Sequence, residues 1–202
     1  MWDMYQKLAK IFKTKTKADE ILLLLDDQKE VVRQAFYEEE FPKIEDFCKK
    51  NNIFVSKSKF KILFSDEESG MYSNKGITIQ EKDKRHAPYF YYFSKSEEKS
   101  YLANYYELIG NIEEFGKLLG YPSCCIKYFV NNFSSRNPDP EIKDCHPLLN
   151  LSKREQDAVL ISHFPCNKEC EKSVKLAKEK IIVISKYSLE RVNELKTKLG
   201  IK

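Results

Sequence analysis

The sequence predicts an α+β protein, mostly helical with a small antiparallel sheet in the middle of the chain. Three observations predict it. Apolar residues recur at helical spacing up to Asn52 and again from Ser96 onward. Between those regions "IFVS", "KFKILFS", "GITIQ" and "PYFYYFS" are short, aromatic or β-branched, and parted by the turn-forming "DEESG" and "SNKG". A content of 42% hydrophobic and 33% charged residues over 202 positions supplies a core and still excludes a disordered chain. Residues 1–52 therefore read as an N-terminal helical segment, 53–95 as a small β-sheet, and 96–202 as a helical region carrying cysteine and histidine, packed as one compact domain.

Taken in order, "MWDMYQKLAKIFK" has the apolar spacing of a helix. "TKADEILLLLDD" follows as a second, with Thr16 as its N-cap. "QKEVVRQAFYEEE" and "PKIEDFCKKNN" read as two more, the latter starting with Pro42 in its first turn. Cys48, near Ile44 and Phe47, reads as a small core residue. His86 falls in the charged loop "EKDKRHAP" before the last strand. "SEEKSYLANYYELIG", "NIEEFGKLLG" and "PSCCIKYFVNNF" are the next helices, the first with Glu97 and Glu98 at its N-terminus. The Pro- and Asn-rich "SSRNPDPEIKDCHP" is a loop. "KREQDAVLIS" reads as a shorter helical run, and the chain closes with one long helix that begins at "HFPCNKEC".

Charge sets few limits. The 35 basic and 31 acidic side chains leave a net charge of only +4, which does not by itself mark a nucleic-acid binder. Lys7, Lys10, Lys13, Lys15 and Lys17 nevertheless make the N-terminus basic, so an anionic partner or RNA is a possible ligand of that face. The opening shows no signal-peptide pattern, and "ILLLLDD" is far short of the ~20 apolar residues that span a bilayer. No membrane partner is expected, and the localisation expected is cytoplasmic, where cysteines stay reduced and serve chemistry or metals more often than disulfides.

The main functional signal is the crowding of Cys124, Cys125, Cys145, His146, His163, Cys166 and Cys170. If Pro165 opens a helix, Cys166 and Cys170 stand at i and i+4 on one face, with Cβ atoms ~5–6 Å apart. That is too wide for the ~3.8 Å of a disulfide, but it suits two thiolates each ~2.3 Å from one metal ion. In "GYPSCCIKYF", Gly120 ends one helix and Pro122 begins the next, which puts Cys124 and Cys125 in a first turn. Counting 100° per residue from Ile126, Phe129, Val130 and Phe133, Cys125 lies at the edge of the buried face and Cys124 points away from it. Cys166 and Cys170 also continue the apolar stripe of Val174, Ala177, Ile181 and Ile184, so core filling is the competing explanation for that pair. Cys145 and His146 lie in a loop from which either could complete a site.

The spacing is not that of a zinc finger or a ferredoxin. "SHFPC" lacks the glutamate of the zinc deaminases, and its second cysteine falls one residue late for their motif. No GxGxxG, P-loop, GxSxG or HExxH motif is present.

"LLGYPSCCIKYF" followed by "LISHFPCNKECEKSVKLA" resembles an uncharacterised, largely archaeal family, a domain of unknown function. The similarity runs from about Glu107 to Lys180 and matches at Gly120, Pro122, Cys124, Cys125, His163, Pro165, Cys166 and Cys170. The resemblance implies that these residues act as one unit in a cytoplasmic, archaeal setting, and it brings no activity with it.

The leading expectation is a protein binding zinc or an iron–sulfur cluster through Cys166, Cys170 and Cys124 or Cys125. His163 is then a fourth ligand or a nearby acid–base. A second is a metal-free thiol enzyme with Cys124 and His163 as catalytic residues and a neighbouring cysteine to resolve the intermediate. A third is a helical module that binds RNA or protein and keeps its cysteines for structure. None of the three names a substrate.

Overall fold

The computed structural model describes residues 4–66, 71–134, 137 and 139–201. In chain order these form α1 (Met4–Ile11), α2 (Lys15–Leu25), β1 (Val31–Phe36), α3 (Phe41–Lys50), β2 (Phe54–Asp66), β3 (Met71–Gln80) and β4 (Tyr89–Ser94). Then follow α4 (Glu97–Leu108), α5 (Ile112–Leu118), α6 (Ser123–Asn132), α7 (Glu171–Ser185) and α8 (Leu189–Leu199). The fold is α+β, as the texture of the sequence predicts. Two compact units share the chain. One gathers residues 1–29, 121–129 and 141–202, and the other gathers 30–120 and 130–140.

The second unit is the sheet and its helices. Its four antiparallel strands run in the order β1-β4-β2-β3. β4 is buried along its whole length, which explains why "YFYYF" reads as a continuous apolar run instead of alternating. Tyr91 stacks on Phe41 of α3 at 4.2 Å, while Tyr92 meets Phe115 of α5 edge-on at 6.2 Å. Neighbouring residues of one strand point to opposite faces, so β4 is covered on both. On the α5 side, Arg33 forms a two-pronged ion pair with Glu107, which also accepts from the Tyr92 hydroxyl at 2.8 Å.

Three local expectations need correction here. "QKEVVRQAFYEEE" is not a helix, because Val31–Phe36 pairs residue for residue with β4 from Val31↔Ser94 to Phe36↔Tyr89. The β-branched pair and the long-range partner outweigh the helical propensity of the flanking charged residues. "IFVS" and "KFKILFS" are one strand, interrupted only where its pairing with β4 shifts between Lys57 and Lys61. There the Ser58 hydroxyl accepts from the Phe90 amide at 3.1 Å and fills the broken ladder. "SNKG" lies inside β3 at a register shift, not at a turn; most of "DEESG", residues 67–70, lies outside the described residues.

The first unit is helical, and it contains the cysteine cluster. α2 is capped by Thr14, not Thr16: the Thr14 hydroxyl accepts from the Lys17 amide at 3.1 Å. The Asp157 carboxylate adds two more bonds, from the Lys15 and Thr16 amides, at 2.6 and 2.8 Å. That role explains why "KREQDAVLIS" is not helical. Asp157 adopts a left-handed conformation with φ of 54° and ends the turns at 154–157 that follow the 3-10 segment Leu151–Lys153. Residues 158–161 then run buried without helix or strand.

The single long terminal helix is also corrected. It is two helices, parted where the Ser188 hydroxyl caps α8 by accepting from the Arg191 amide. Helical structure begins at Glu171, with Cys170 as N-cap, so Pro165 and Cys166 precede it. α2, α7 and α8 enclose a charged interior. Glu20 takes Lys180 at 2.6 Å and Lys29 at 2.5 Å, and Asp19 takes Arg191 at 2.9 Å and the Tyr5 hydroxyl at 2.8 Å. No helix among the described residues is long and apolar enough to cross a membrane.

Candidate metal centre

Gly120 closes the turn after α5 with φ of +75°, a left-handed conformation that a side chain would strain. Two residues on, the Pro122 carbonyl accepts from the Cys125 and Ile126 amides at 2.9 and 3.0 Å and starts α6. Cys124 and Cys125 thus sit in its first turn. Cys125 is buried and Cys124 half-buried. The count from Ile126, Phe129, Val130 and Phe133 needs correction, because Val130 is exposed and only Ile126 of the four is buried. Cys125 lies inside the buried face, not at its edge, and Cys124 turns to the other cysteines, not away.

The opposing wall is a turn. Asn167 organises it by accepting from the Glu169 amide at 3.0 Å on its side chain and from the Cys170 amide at 3.4 Å on its carbonyl. An asparagine side chain that bonds to nearby backbone competes with helix formation, so Cys166 and Cys170 are not an i, i+4 pair on a helical face. The turn nevertheless brings them together. Cys166 hangs from it half-buried, while Cys170, buried, caps α7.

The four sulfurs of Cys124, Cys125, Cys166 and Cys170 all lie within 4.8 Å of one another. Cys125–Cys170 is 3.6 Å, and Cys124 lies 3.9 Å from both Cys125 and Cys170. Four thiolates placed tetrahedrally ~2.3 Å from one ion stand about 3.8 Å apart. The donor set and the separations therefore fit a metal ion. The cluster is set in an apolar frame that includes Leu148, Leu160, Phe164 and Ala177.

The local electrostatics favour one thiolate even without metal. Burial pushes the Cys170 thiol up, but the Ser173 hydroxyl and amide, with Cys166 and Cys125, outweigh it and bring it down to about 6. Burial pushes Cys166 up to about 11, and also raises Cys125. The Cys125 and Cys166 thiols can then donate to the ionised one.

His163 stands one step behind the sulfurs and outside the four-ligand group. Its Nε2 lies 2.8 Å from Ser173 Oγ, which is 3.3 Å from both Cys125 Sγ and Cys170 Sγ. Burial and the Lys29 ammonium bring His163 down to about 3, against the opposing pull of Glu20. Cys145 is also separate: its thiol donates to the Ile142 carbonyl at 2.7 Å. His146 accepts from the Leu148 amide through Nδ1 at 3.1 Å. Cys48 is a core residue of the other unit, pushed up to about 12 by burial. Ser173 is the site residue that motif reading passed over. Its only signal in the sequence is a position three after Cys170, within reach of the same helix start.

No curated protein and no solved structure matches the chain. One family model matches residues 96–200, more than half of the chain and the whole stretch that holds the four cysteines, His163 and Ser173. Its description is "Protein of unknown function (DUF483)". With the model covering both cysteine motifs and the helices that present them, the chain belongs to the DUF483 family.

Proposed function

We propose that this is a metal-binding protein in which Cys124, Cys125, Cys166 and Cys170 hold one tetrahedrally coordinated ion, Zn²⁺. The observation that carries the reading is the sulfur spacing. Separations of 3.6 to 3.9 Å among Cys124, Cys125 and Cys170, with Cys166 within 4.8 Å of each, suit four ligands on one ion. An iron–sulfur cluster spreads its cysteines over several irons that are themselves separated, which pushes the sulfurs further apart than this. Soft thiolates select zinc or iron over magnesium or calcium. Six free thiols suit a reducing, cytoplasmic setting.

Four protein ligands leave no open position, so the ion is structural in this reading and ties the start of α6 to the turn before α7. The test is elemental analysis with an absorption spectrum of anaerobically purified protein. One zinc per chain and no visible colour is the expected result. Visible bands with several irons per chain would replace zinc by a cluster, and a folded, metal-free chain would remove the metal reading.

The low-lying thiol of Cys170 favours a second reading, a metal-free thiol enzyme. It requires Cys170 to be alkylated much faster than the other cysteines near neutral pH in protein stripped of metal. Uniform slow alkylation argues against it.

A further inference from the structure

Behind the two most buried sulfurs stands a hydroxyl with three partners. Ser173 is fully buried in the first turn of α7. Its Oγ lies 3.3 Å from Cys125 Sγ, 3.3 Å from Cys170 Sγ and 2.8 Å from His163 Nε2. A serine hydroxyl has one proton and two lone pairs. A thiolate bound to metal has no proton to offer, so both sulfurs can only accept. The thiolates carry the negative charge and Ser173 Oγ donates to Cys170, so the Ser173 proton goes to the sulfur pair and its oxygen presents only lone pairs to the imidazole. Two lone pairs facing each other at 2.8 Å repel, so Nε2 has to carry a proton.

From this geometry we infer that His163 and Ser173 are positioning residues of the metal centre, a one-way donor relay from Nε2–H through Oγ–H to the Cys125–Cys170 sulfur pair. The inference rests on the metal reading. In it His163 serves the ion without binding it. Because burial and Lys29 keep the ring neutral, it has one proton to place, and Nδ1 keeps the lone pair. Four thiolates on a divalent ion leave a net charge of −2, which hydrogen-bond donors offset. The relay joins the Cys166 amide donating to Cys125, the Ser173 amide donating to Cys170, and the Asn167 side-chain amide donating to Cys166 at 3.4 Å. Outer partners of this kind orient the ligands and fix the tautomer of the histidine that supports them.

The tautomer is directly measurable on the unmodified chain. In the zinc-loaded, ¹⁵N-labelled protein, long-range ¹H–¹⁵N spectra should show His163 with a protonated, pyrrole-like Nε2 and a bare, pyridine-like Nδ1. Ser173→Ala should still take up one zinc, at an affinity lower by ~10–100-fold, and should release the tautomer preference. His163→Gln, which keeps an amide donor, should retain more affinity than His163→Leu. A zinc-loaded chain with its proton on Nδ1, or with Nε2 bound to the metal, overturns the relay alone. A chain that takes up neither zinc nor cobalt overturns the metal reading and the relay with it.

Discussion

The sulfurs of Cys125 and Cys170 lie 3.6 Å apart, although forty-five residues separate them in the chain. Neither is at the surface, and each is held by a different device, the first turn of α6 for one and the cap of α7 for the other. Replacing either with serine removes a soft ligand and puts a hard hydroxyl oxygen in its place. Cys125→Ser and Cys170→Ser should lose zinc from the purified protein, with affinity falling by more than the ~100-fold that outer-shell changes cost. Cys145→Ser and Cys48→Ser should keep one zinc per chain, because their sulfurs stand outside the group. Elemental analysis of the four variants side by side separates the two classes. Equal zinc in all of them would contradict the assignment.

Removing the ion should loosen the unit that holds it. A ligand that binds only the folded state stabilises by about 4 kcal/mol at 1,000 times its Kd. For a chain of this length each kcal/mol shifts the melting temperature by ~2–4 °C, so a strong chelator should lower it by about 10 °C. Calorimetry with and without chelator reads the change, and added zinc should restore it. An unchanged melting temperature, with the metal shown to have left, would make the centre dispensable for folding.

How far the site was legible in advance differs from residue to residue. The helix start that carries Cys124 and Cys125 is legible, because Gly120 and Pro122 fix it locally. Its phase is not: Val130 is exposed, and Cys125 is buried where the count puts it at an edge. Cys166 and Cys170 were placed together for a mistaken reason. The helical count needed a helix from Pro165, whereas Asn167 makes a turn there, and the sulfurs meet by turn geometry. Ser173 carried no motif, since its role exists only once two distant segments converge on one hydroxyl. The same limit applies to the fold. Sheet texture was plain in "PYFYYFS", but β1 depends on pairing with a strand almost sixty residues away, and no local pattern states that.

The charged interior sets an acid limit on stability. Burial alone would raise Glu20, but the Lys180 and Lys29 ammonium groups outweigh it and bring its pKa from an ordinary 4.5 down to about 2. Between those values the unfolded chain takes up a proton that the folded protein refuses. The stabilisation, about 3 kcal/mol, is present above pH 4.5 and is lost as the pH falls to about 2. Glu20→Gln strands Lys180 and should be less stable at pH 7 by ~3–5 kcal/mol. The melting curves of wild type and variant should then converge as the pH drops from 5 to 2. Curves that stay parallel would place the acid sensitivity in another group.

Asp19 and Arg191 test whether the buried pair stabilises or only specifies. Both side chains are fully buried. Arg191 donates to Asp19 through Nη2 at 2.9 Å and Nε at 3.2 Å, and to the Asp157 carbonyl at 2.7 Å; the Tyr5 hydroxyl completes the carboxylate. Arg191→Met removes the cation hydrogen-bonded to this buried carboxylate and leaves it only the more distant field of Lys180, at a cost of ~3–5 kcal/mol. The same substitution frees the Asp157 carbonyl, whose carboxylate caps α2, so part of the loss should appear as fraying at Lys15 and Thr16. Hydrogen exchange at those two amides would register that part separately. Replacing both partners, Asp19→Leu with Arg191→Met, removes the stranded charge and should recover most of the loss in a double-mutant cycle. A double variant no more stable than Arg191→Met alone would mean that the pair is worth its full Coulombic attraction here, and that apolar packing cannot take its place.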